Sequence, residues 1–283
     1  MRNFMEMLRA KWEEGKFVCV GLDSELAKIP SFVTHHSQNP VITFNREIIE
    51  ATRDIAGAYK PNIAFFASRG TEGIRDLVTT VGIIKEVAPS VPIILDAKRA
   101  DIGNTNLGYV IEAFVMIDAD AVTVNPYFGS EALLPFLGQK EKGVIVLCRT
   151  SNKGAAEFQN LITESEFGKI PLYQVVAHSV AKKWNTAGNC ALVFGATAPA
   201  ELAIGRSIVG DDFPLLIPGI GKQGGDLEKT VNAGKDSAGR GMIINSSSGI
   251  IFASSEEDFA EAARRETEKL HNGITEILKG IKV

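Results

Sequence analysis

The sequence predicts an α/β protein in which parallel strands close into a (β/α)8 TIM barrel, a single domain over residues 1–283. Short runs rich in β-branched residues recur at fairly even intervals. Most are continuously apolar, as expected for parallel strands covered on both faces. Stretches with helical periodicity separate them, and no Pro-, Gly- or Ser-rich linker divides the chain. Eight such repeats favour a closed barrel over the alternative, an open six-stranded sheet with two extra strands.

The individual elements follow from this alternation. The charged amphipathic N-terminus predicts a helix over residues 1–15. The predicted strands are Phe17–Asp23, Ala58–Phe65, Val91–Lys98, Ala121–Asn125, Val144–Arg149, Ala191–Gly195, Pro214–Pro218 and Met242–Ser246. The predicted helices with an apolar stripe are Thr71–Ala88, Asn106–Ile117, Ser130–Leu137, Leu172–Trp184, Pro199–Val209, Asp226–Ala233 and Glu256–Leu278.

Two connections, residues 24–45 and 151–171, are longer than a barrel requires. Both follow strands, so they lie at the carboxyl end of the barrel, where the active sites of this fold are built. We expect them to form lids or walls of a substrate site. His35 and His36 fall in the first connection and are expected in a solvated loop.

Composition excludes several classes of protein. The net charge is −4 without a basic block, which argues against a nucleic-acid-binding protein. No apolar run is long enough to span a bilayer, and the N-terminus lacks the apolar region of a signal peptide. We therefore expect a soluble protein of the cytoplasm.

Cysteine and histidine spacing predicts no metal site and no disulfide. The three cysteines, Cys19, Cys148 and Cys190, are widely spaced within apolar runs, where a free thiol behaves as a small buried hydrophobe. The histidines show no ligand spacing.

The segment Asp96–Thr105, at the end of the third predicted strand, contains the most specific chemistry. Strand side chains alternate, so Asp96 and Lys98 point to the same face, and Asp101 follows closely. A structural ion pair is the alternative, but it explains poorly three crowded charges. A lysine between carboxylates stays protonated and can donate a proton to a carbanion. A substrate anion beside those carboxylates is repelled, which favours loss of CO2.

Two more charges are predicted at the same mouth. Asp23 ends the first strand and Lys60 ends the second. The barrel geometry directs them toward the three charges that follow the third strand.

A glycine-rich loop, Gly219–Gly224, follows the seventh predicted strand and fits the pattern GxGxxG. A dinucleotide fingerprint would require the first strand–helix turn of a βαβ unit, so we interpret the loop differently. Barrels commonly bind phosphate with the loops after strands seven and eight. Glycines allow close approach, and the Gln223 amide adds a polar group.

Further segments occur in a definite order along nearly the whole chain: Tyr59–Asn62, Val124–Tyr127, Cys148–Asn152, Phe194–Leu202 and Ile217–Asp226. With Asp96–Thr105, which fits D-x-K-x-x-D-I-x-x-T, they resemble the orotidine 5′-phosphate decarboxylase family, especially its longer bacterial branch. The resemblance implies a cofactor-free (β/α)8 homodimer with shared active sites that converts orotidine 5′-phosphate to UMP and CO2 in pyrimidine biosynthesis.

The resemblance also implies roles for individual residues. Lys98 would protonate the C6 carbanion, Asp96 would press on the departing carboxylate, and the partner subunit would contribute Asp101, Ile102 and Thr105. Lys60 and Asp23 would hold the ribose hydroxyls and complete the charged array. The residues expected at the pyrimidine and the phosphate are Ser151, Pro218, Gly219, Gln223, Ser248 and Gly249.

One position departs from the family pattern. The family usually has an arginine on the phosphate after the eighth strand, and here Ser248 occupies that place. Either phosphate binding is weakened, or Lys222 or Arg240 compensates.

Two other functions remain as alternatives. One is a Mg²⁺-dependent sugar-phosphate decarboxylase or aldolase on a related barrel, which Lys60 at the second strand disfavours. The other is an inactive nucleotide-binding barrel, which the loss of the arginine suggests and the complete charged array disfavours.

Overall fold

Eight parallel strands form the barrel of the computed structural model, which describes residues 2–221 and 224–280. The strands along the chain are β1 (Val18–Leu22), β2 (Ala58–Pro61), β3 (Ile94–Arg99), β4 (Ala121–Val124), β5 (Gly143–Arg149), β6 (Ile162–Ser165), β7 (Gly168–Pro171), β8 (Cys190–Phe194), β9 (Leu215–Pro218) and β10 (Met242–Ser246). The barrel order is β2-β1-β10-β9-β8-β5-β4-β3, and β6 and β7 form a separate antiparallel hairpin.

The barrel closes between β2 and β3. Tyr59 bridges Ile93 and Asn62 bridges Asp96, both in parallel register. The closed barrel confirms the predicted fold class, and the open sheet is wrong. Every residue of β1, β2, β4, β8 and β10 is buried, which explains why these strands are continuously apolar or nearly so.

Helices surround the barrel: α1 (Phe4–Glu13), α2 (Ser31–His36), α3 (Pro40–Thr52), α4 (Ile63–Ala67), α5 (Gly70–Val87), α6 (Gly103–Ile111), α7 (Gly129–Leu137), α8 (Ala156–Gln159), α9 (Leu172–Ser179), α10 (Pro199–Val209), α11 (Leu227–Gly234), α12 (Ser248–Ile251) and α13 (Phe259–Leu278). Single π-helical turns, Glu112–Met116 and Val180–Trp184, extend α6 and α9. These two extensions account for the predicted helix ends at Ile117 and Trp184.

Helix α1 covers the amino-terminal end of the barrel. The Trp12 indole donates a hydrogen bond to the Met242 carbonyl over 2.8 Å, and Leu8 is buried beside it. Phe4 packs against Gly143, where an added Cβ would lie 2.3 Å from the ring. The closed end leaves the carboxyl end of the strands as the open mouth.

Two predicted boundaries were wrong because asparagine caps begin helices early. β2 ends at Pro61 and not at Phe65, since the Asn62 side chain accepts a hydrogen bond from the Ala64 amide and starts α4. The connection over residues 24–45 is also not one long loop. Asn39 caps α3, which begins at Pro40.

Both long connections, which were predicted as loops, contain short regular elements. His35 and His36 lie at the end of α2 and not in a loop, and both are exposed. Residues 151–171 contain a 3-10 turn (Lys153–Ala155), α8 and the β6–β7 hairpin. The three cysteines are free and buried, as predicted. Within the described ranges, no helix combines the length and apolar character needed to cross a membrane.

Arg206 links four backbone segments near the amino-terminal end of β9 and β10. Its guanidinium donates to the carbonyls of Gly210, Phe213, Gly234 and Gly241, each over 2.8–2.9 Å. Burial holds the pKa of Arg206 down to about 10, and Asp236 opposes that effect. The residue is therefore a buried cation whose hydrogen bonds are all to main chain.

We expect Arg206→Met to lower the free energy of unfolding by about 3 kcal/mol or more, because buried carbonyls lose charged donors. Urea denaturation measures the loss. The matched control is Arg9→Met, which breaks an exposed pair with Asp212 and should cost less than about 1 kcal/mol. Equal losses for the two variants would contradict a special role of Arg206.

Candidate active site

The carboxyl ends of the strands surround a cavity of about 570 Å³. Nine of the predicted site residues line it: Asp23, Lys60, Asp96, Lys98, Ser151, Pro218, Gly219, Ser248 and Gly249. They come from six different strand ends and adjoining loops, so the barrel brings together residues far apart in sequence.

Charged side chains form a continuous array on one wall of the cavity. Lys60 Nζ lies 3.0 Å from Asp96 Oδ2 and 3.9 Å from Asp23 Oδ1. Lys98 Nζ lies 2.7 Å from Asp96 Oδ1. The side chain of Lys60 is 5% exposed, whereas that of Lys98 is 50% exposed. Lys60 is thus the buried cation of the array, and Lys98 is the cation that faces the cavity.

Two effects act in opposite directions on the pKa of each buried group: burial disfavours the charged form, and the attraction of the neighbouring charges favours it. Burial alone raises the pKa of Asp96, but the charges of Lys60 and Lys98 outweigh it and hold that pKa below the ordinary 3.8. Burial lowers the pKa of Lys60, and the attraction of Asp96 and Asp23 reverses this and raises it above 10.5. Asp96 is ionised and Lys60 protonated at neutral pH.

The array depends on an irregularity in β3. Lys98 has a φ of 49°, the left-handed region that residues other than glycine rarely adopt. Its backbone amide donates to the Thr123 hydroxyl over 2.9 Å, and that hydroxyl donates to Asp96 Oδ1 over 2.8 Å. This irregularity is a β-bulge, and it changes the direction of the backbone at Lys98, within the site.

Three predicted residues do not reach this cavity. Asp101 and Ile102 lie between β3 and α6, Thr105 lies in the first turn of α6, and none of the three lines the cavity of the single chain. The Asp101 carboxylate accepts a hydrogen bond from the Ile102 amide over 2.7 Å, and the Ile102 side chain is 60% exposed. The array within one chain is thus Asp23, Lys60, Asp96 and Lys98.

The described residues of the glycine-rich loop after β9 have backbone conformations that favour glycine. Gly219, Gly221 and Gly224 have φ between 83° and 108°, so side chains at these positions would strain the backbone. The Gly225 amide donates to the Gly219 carbonyl over 3.1 Å. Gln223, predicted at the phosphate, and Lys222 lie outside the described residues.

Ser248 begins the short helix α12, with Gly249 next in the chain, and both line the same cavity. The amides of Ile250 and Ile251 donate to the Ser247 carbonyl. Arg240 cannot replace the missing arginine. It precedes β10, at the amino-terminal end of the barrel, where its amide donates to Asp236.

Ser151 reaches the cavity because a glycine, Gly195, follows β8. A Cβ at Gly195 would lie 2.6 Å from the Cα of Ser151. The Thr197 hydroxyl donates to the Ser151 carbonyl over 3.0 Å and holds this contact. The segment after β5 is thereby fixed against the end of β8.

Sequence reasoning missed several polar residues of the cavity. Thr123 is a lone polar residue within the apolar strand β4, and its strand position could have indicated an inward side chain. Asn245 is the corresponding signal in β10. Gln159 carries no such signal, because it reaches the cavity from the end of the short helix α8, where its side chain accepts a hydrogen bond from the Thr150 amide.

Two residues that line the cavity each have a buried oxygen that accepts no hydrogen bond from the described residues. Within the described ranges, Asp23 Oδ1 and Asn245 Oδ1 have no hydrogen-bond partner, although buried polar atoms usually have one. Both are acceptors, so they suit hydroxyl groups. Among the same residues, no group of three or more His, Cys, Asp or Glu side chains is arranged to hold a metal ion.

The depressed pKa of Asp96 predicts how stability depends on pH. A carboxyl whose pKa is lower in the folded chain stabilises the fold above its ordinary pKa and loses that effect as pH falls through the folded pKa. We expect Asp96→Asn to lower the free energy of unfolding by about 3–5 kcal/mol, because Lys60 loses its nearest counter-charge. The difference should stay constant from about pH 5 to 7 and shrink below about pH 4.

Denaturant titrations across that pH range measure this difference. Asp54→Asn is the matched control, because Asp54 forms an exposed pair with Arg264 and should contribute less than about 1 kcal/mol. A constant difference at all pH values would contradict the assigned pKa.

Comparison with known proteins identifies relatives of this chain. A family model described as "Orotidine 5'-phosphate decarboxylase / HUMPS family" matches residues 16–265. The chain is 50% identical over 264 residues to orotidine 5′-phosphate decarboxylase of Janthinobacterium sp. (strain Marseille), covering 93% of this chain and 94% of that protein.

Solved structures show the same fold. The structure of Leishmania donovani OMP decarboxylase matches with a TM-score of 0.81 and 35% identity, covering 96% of this chain and 99% of that one. Leishmania donovani UMP synthase matches with a TM-score of 0.85 and 35% identity, covering 98% of this chain, which spans 57% of that longer protein. The chain belongs to the orotidine 5′-phosphate decarboxylase / HUMPS family.

Proposed function

We propose that this protein is an orotidine 5′-phosphate decarboxylase, a carboxy-lyase of pyrimidine biosynthesis that forms UMP and CO2 without a cofactor. The observation that supports this function most is the array of Lys60, Asp96 and Lys98 on one wall of the cavity. Family membership, with relatives near 50% identity over 93% of the chain, adds to it.

The reaction follows from the placement of charge. The bond between C6 and the carboxylate breaks, CO2 leaves, and the electron pair stays on C6. Lys98 donates a proton to C6, and its neutral amine regains a proton from water. Asp96 stays ionised beside the substrate carboxylate, and the repulsion between the two anions is relieved when CO2 leaves.

The rest of the substrate is assigned along the cavity wall. Asp23 and Lys60 hold the ribose hydroxyls, a role that suits the Asp23 oxygen that accepts no hydrogen bond within the described part of the chain. Ser151 reads the pyrimidine edge, and Pro218 lines its face. The phosphate lies against Gly219, Gln223, Ser248 and Gly249, where backbone amides bind it.

The active enzyme is a homodimer with shared sites, in which the partner contributes Asp101, Ile102 and Thr105. The exposure of Ile102 and of two apolar side chains of α6, Leu107 and Ile111, supports such an interface. Each chain acts as a single barrel domain, residues 1–283, in the cytoplasm.

The alternatives receive less support. A Mg²⁺-dependent sugar-phosphate enzyme would need a cation where the ammonium of Lys60 already lies 3.0 Å from Asp96. An inactive nucleotide-binding barrel would not need to retain Asp23, Lys60, Asp96 and Lys98 together in the cavity.

The direct test follows the ultraviolet absorbance of orotidine 5′-phosphate mixed with the purified protein in EDTA. We expect turnover that persists as long as Asp96 is ionised, and the nearby lysines hold the pKa of Asp96 below the ordinary 3.8. Lys98→Ala should lower kcat by about 100- to 10,000-fold.

The control is Lys85→Ala, a lysine of α5 that pairs with Asp118 outside the cavity and should keep full activity. Absence of turnover in the unsubstituted chain at any substrate concentration would refute the proposed function. Full activity of Lys98→Ala would refute only its assignment as proton donor.

Ser248 gives a second prediction. We expect Ser248→Arg to raise kcat/KM by roughly 10- to 150-fold, because a charged hydrogen bond to the phosphate is restored. Binding energy at the phosphate also supports the chemical step, so kcat should rise as well. Steady-state kinetics measures both, with Ser248→Gln as an uncharged control of similar reach. An unchanged kcat/KM in the arginine variant would show that residue 248 does not contact the phosphate and that other residues bind it.

A further inference from the structure

The irregular part of β3 lies opposite a single residue of β4. Leu95 pairs with Val122 and Arg99 pairs with Val124. Residues 96–98 therefore all lie opposite Thr123, where a regular ladder would place one residue. Such a bulge leaves backbone amides without strand partners, and buried amides need another acceptor.

The Thr123 hydroxyl supplies that acceptor. It accepts hydrogen bonds from the amides of Ala97 and Lys98 over 3.0 and 2.9 Å. It donates to Asp96 Oδ1 over 2.8 Å. A hydroxyl has one donor and two acceptor sites, so all three are used here. Because both lone pairs face amides, its proton can only point to Asp96.

These three hydrogen bonds control where the charged groups point. They hold Lys98 at its φ of 49°, and from that backbone its ammonium returns to Asp96 Oδ1 at 2.7 Å. The same oxygen receives the proton of Thr123. Thr123 itself is 1% exposed, so water cannot replace its hydroxyl without rearrangement.

We propose that Thr123 is a positioning residue, whose hydroxyl holds the bulge that aligns the Asp96 carboxylate with the Lys98 ammonium for proton transfer. The role in catalysis depends on the proposed decarboxylase function. The role in geometry does not, because it concerns only the contacts within the chain.

Kinetics of two substitutions test the proposal. Thr123→Val keeps the shape but removes all three hydrogen bonds, and we expect kcat to fall about 100-fold through misplacement of Lys98. KM should change little, because the groups assigned to the pyrimidine and phosphate lie at or just beyond the ends of β5, β9 and β10. Thr123→Ser keeps the hydroxyl and should retain most of kcat.

A buried threonine elsewhere is the control. Thr267 is fully buried on α13, and its hydroxyl donates to the Ala263 carbonyl over 2.7 Å. Thr267→Val should leave kcat unchanged. Thr123→Ala, which is smaller and also lacks the hydroxyl, replaces the valine variant if that variant fails to fold.

Crystal structures of the unliganded variants give a readout that is independent of turnover. We expect Lys98 to leave its positive φ and its ammonium to move away from Asp96 in Thr123→Val, and to stay in place in Thr123→Ser. An unchanged pair of Lys98 and Asp96 in the valine variant would overturn the proposal. So would equal loss of kcat in the valine and serine variants.

The two proposals fail in different ways. If the unsubstituted chain does not decarboxylate orotidine 5′-phosphate, the function is wrong, and the crystal structures still decide whether Thr123 positions Lys98. If the unsubstituted chain is active and Thr123→Val has its full kcat, only the positioning role is wrong.

Discussion

The buried ammonium of Lys60 is the constraint around which the open end of the barrel is organised. A charge with so little exposure is stable only beside opposite charge, and Asp96 supplies it at 3.0 Å. Lys60 and Asp96 belong to β2 and β3, the pair of strands at which the barrel closes, where Asn62 bridges Asp96. Closure of the barrel and assembly of the charged array are therefore the same structural event.

The two oxygens of the Asp96 carboxylate contact different groups. Oδ2 faces Lys60 within the protein, while Oδ1 receives Lys98 and the Thr123 hydroxyl. The inner contact keeps the carboxylate ionised, and the outer contacts orient the ammonium that faces the cavity. An anion held this firmly can repel a substrate carboxylate without moving away from it.

The sequence predicted the barrel well because its strands are buried on both faces and therefore read as apolar runs. It also predicted nine of the residues that line the cavity. The four charged ones followed from their positions at strand ends, which meet at the mouth, and most of the others followed from the resemblance to the decarboxylase family. The extra length assigned to β2 had a different cause: Ile63 and Phe65 continue the apolar run, while Asn62 starts a helix. The hydrophobic pattern alone does not show where a capping side chain ends a strand and begins a helix.

Other features were beyond sequence patterns for physical reasons. Alternation along a regular strand places Asp96 and Lys98 on one face, but it does not reveal that Lys98 adopts a positive φ or that Thr123 satisfies the bulge. The distance of Asp101 from the cavity of its own chain depends on where α6 begins. Gln159 reaches the cavity from the end of the short helix α8. The short elements after β5 have no hydrophobic periodicity in the sequence from which this position could be predicted.

Two glycines, Gly21 and Gly195, let neighbouring segments approach closely at the mouth of the barrel. A Cβ at Gly21 would lie 1.9 Å from the Ser247 hydroxyl, and one at Gly195 would meet the backbone of Ser151. Evolution cannot easily tune the width of the mouth at these positions, because any larger residue collides with a neighbouring strand end. The segment after β5 is less restricted, because its β6–β7 hairpin forms a separate sheet and a change in its length would leave the strand pairing of the barrel in place.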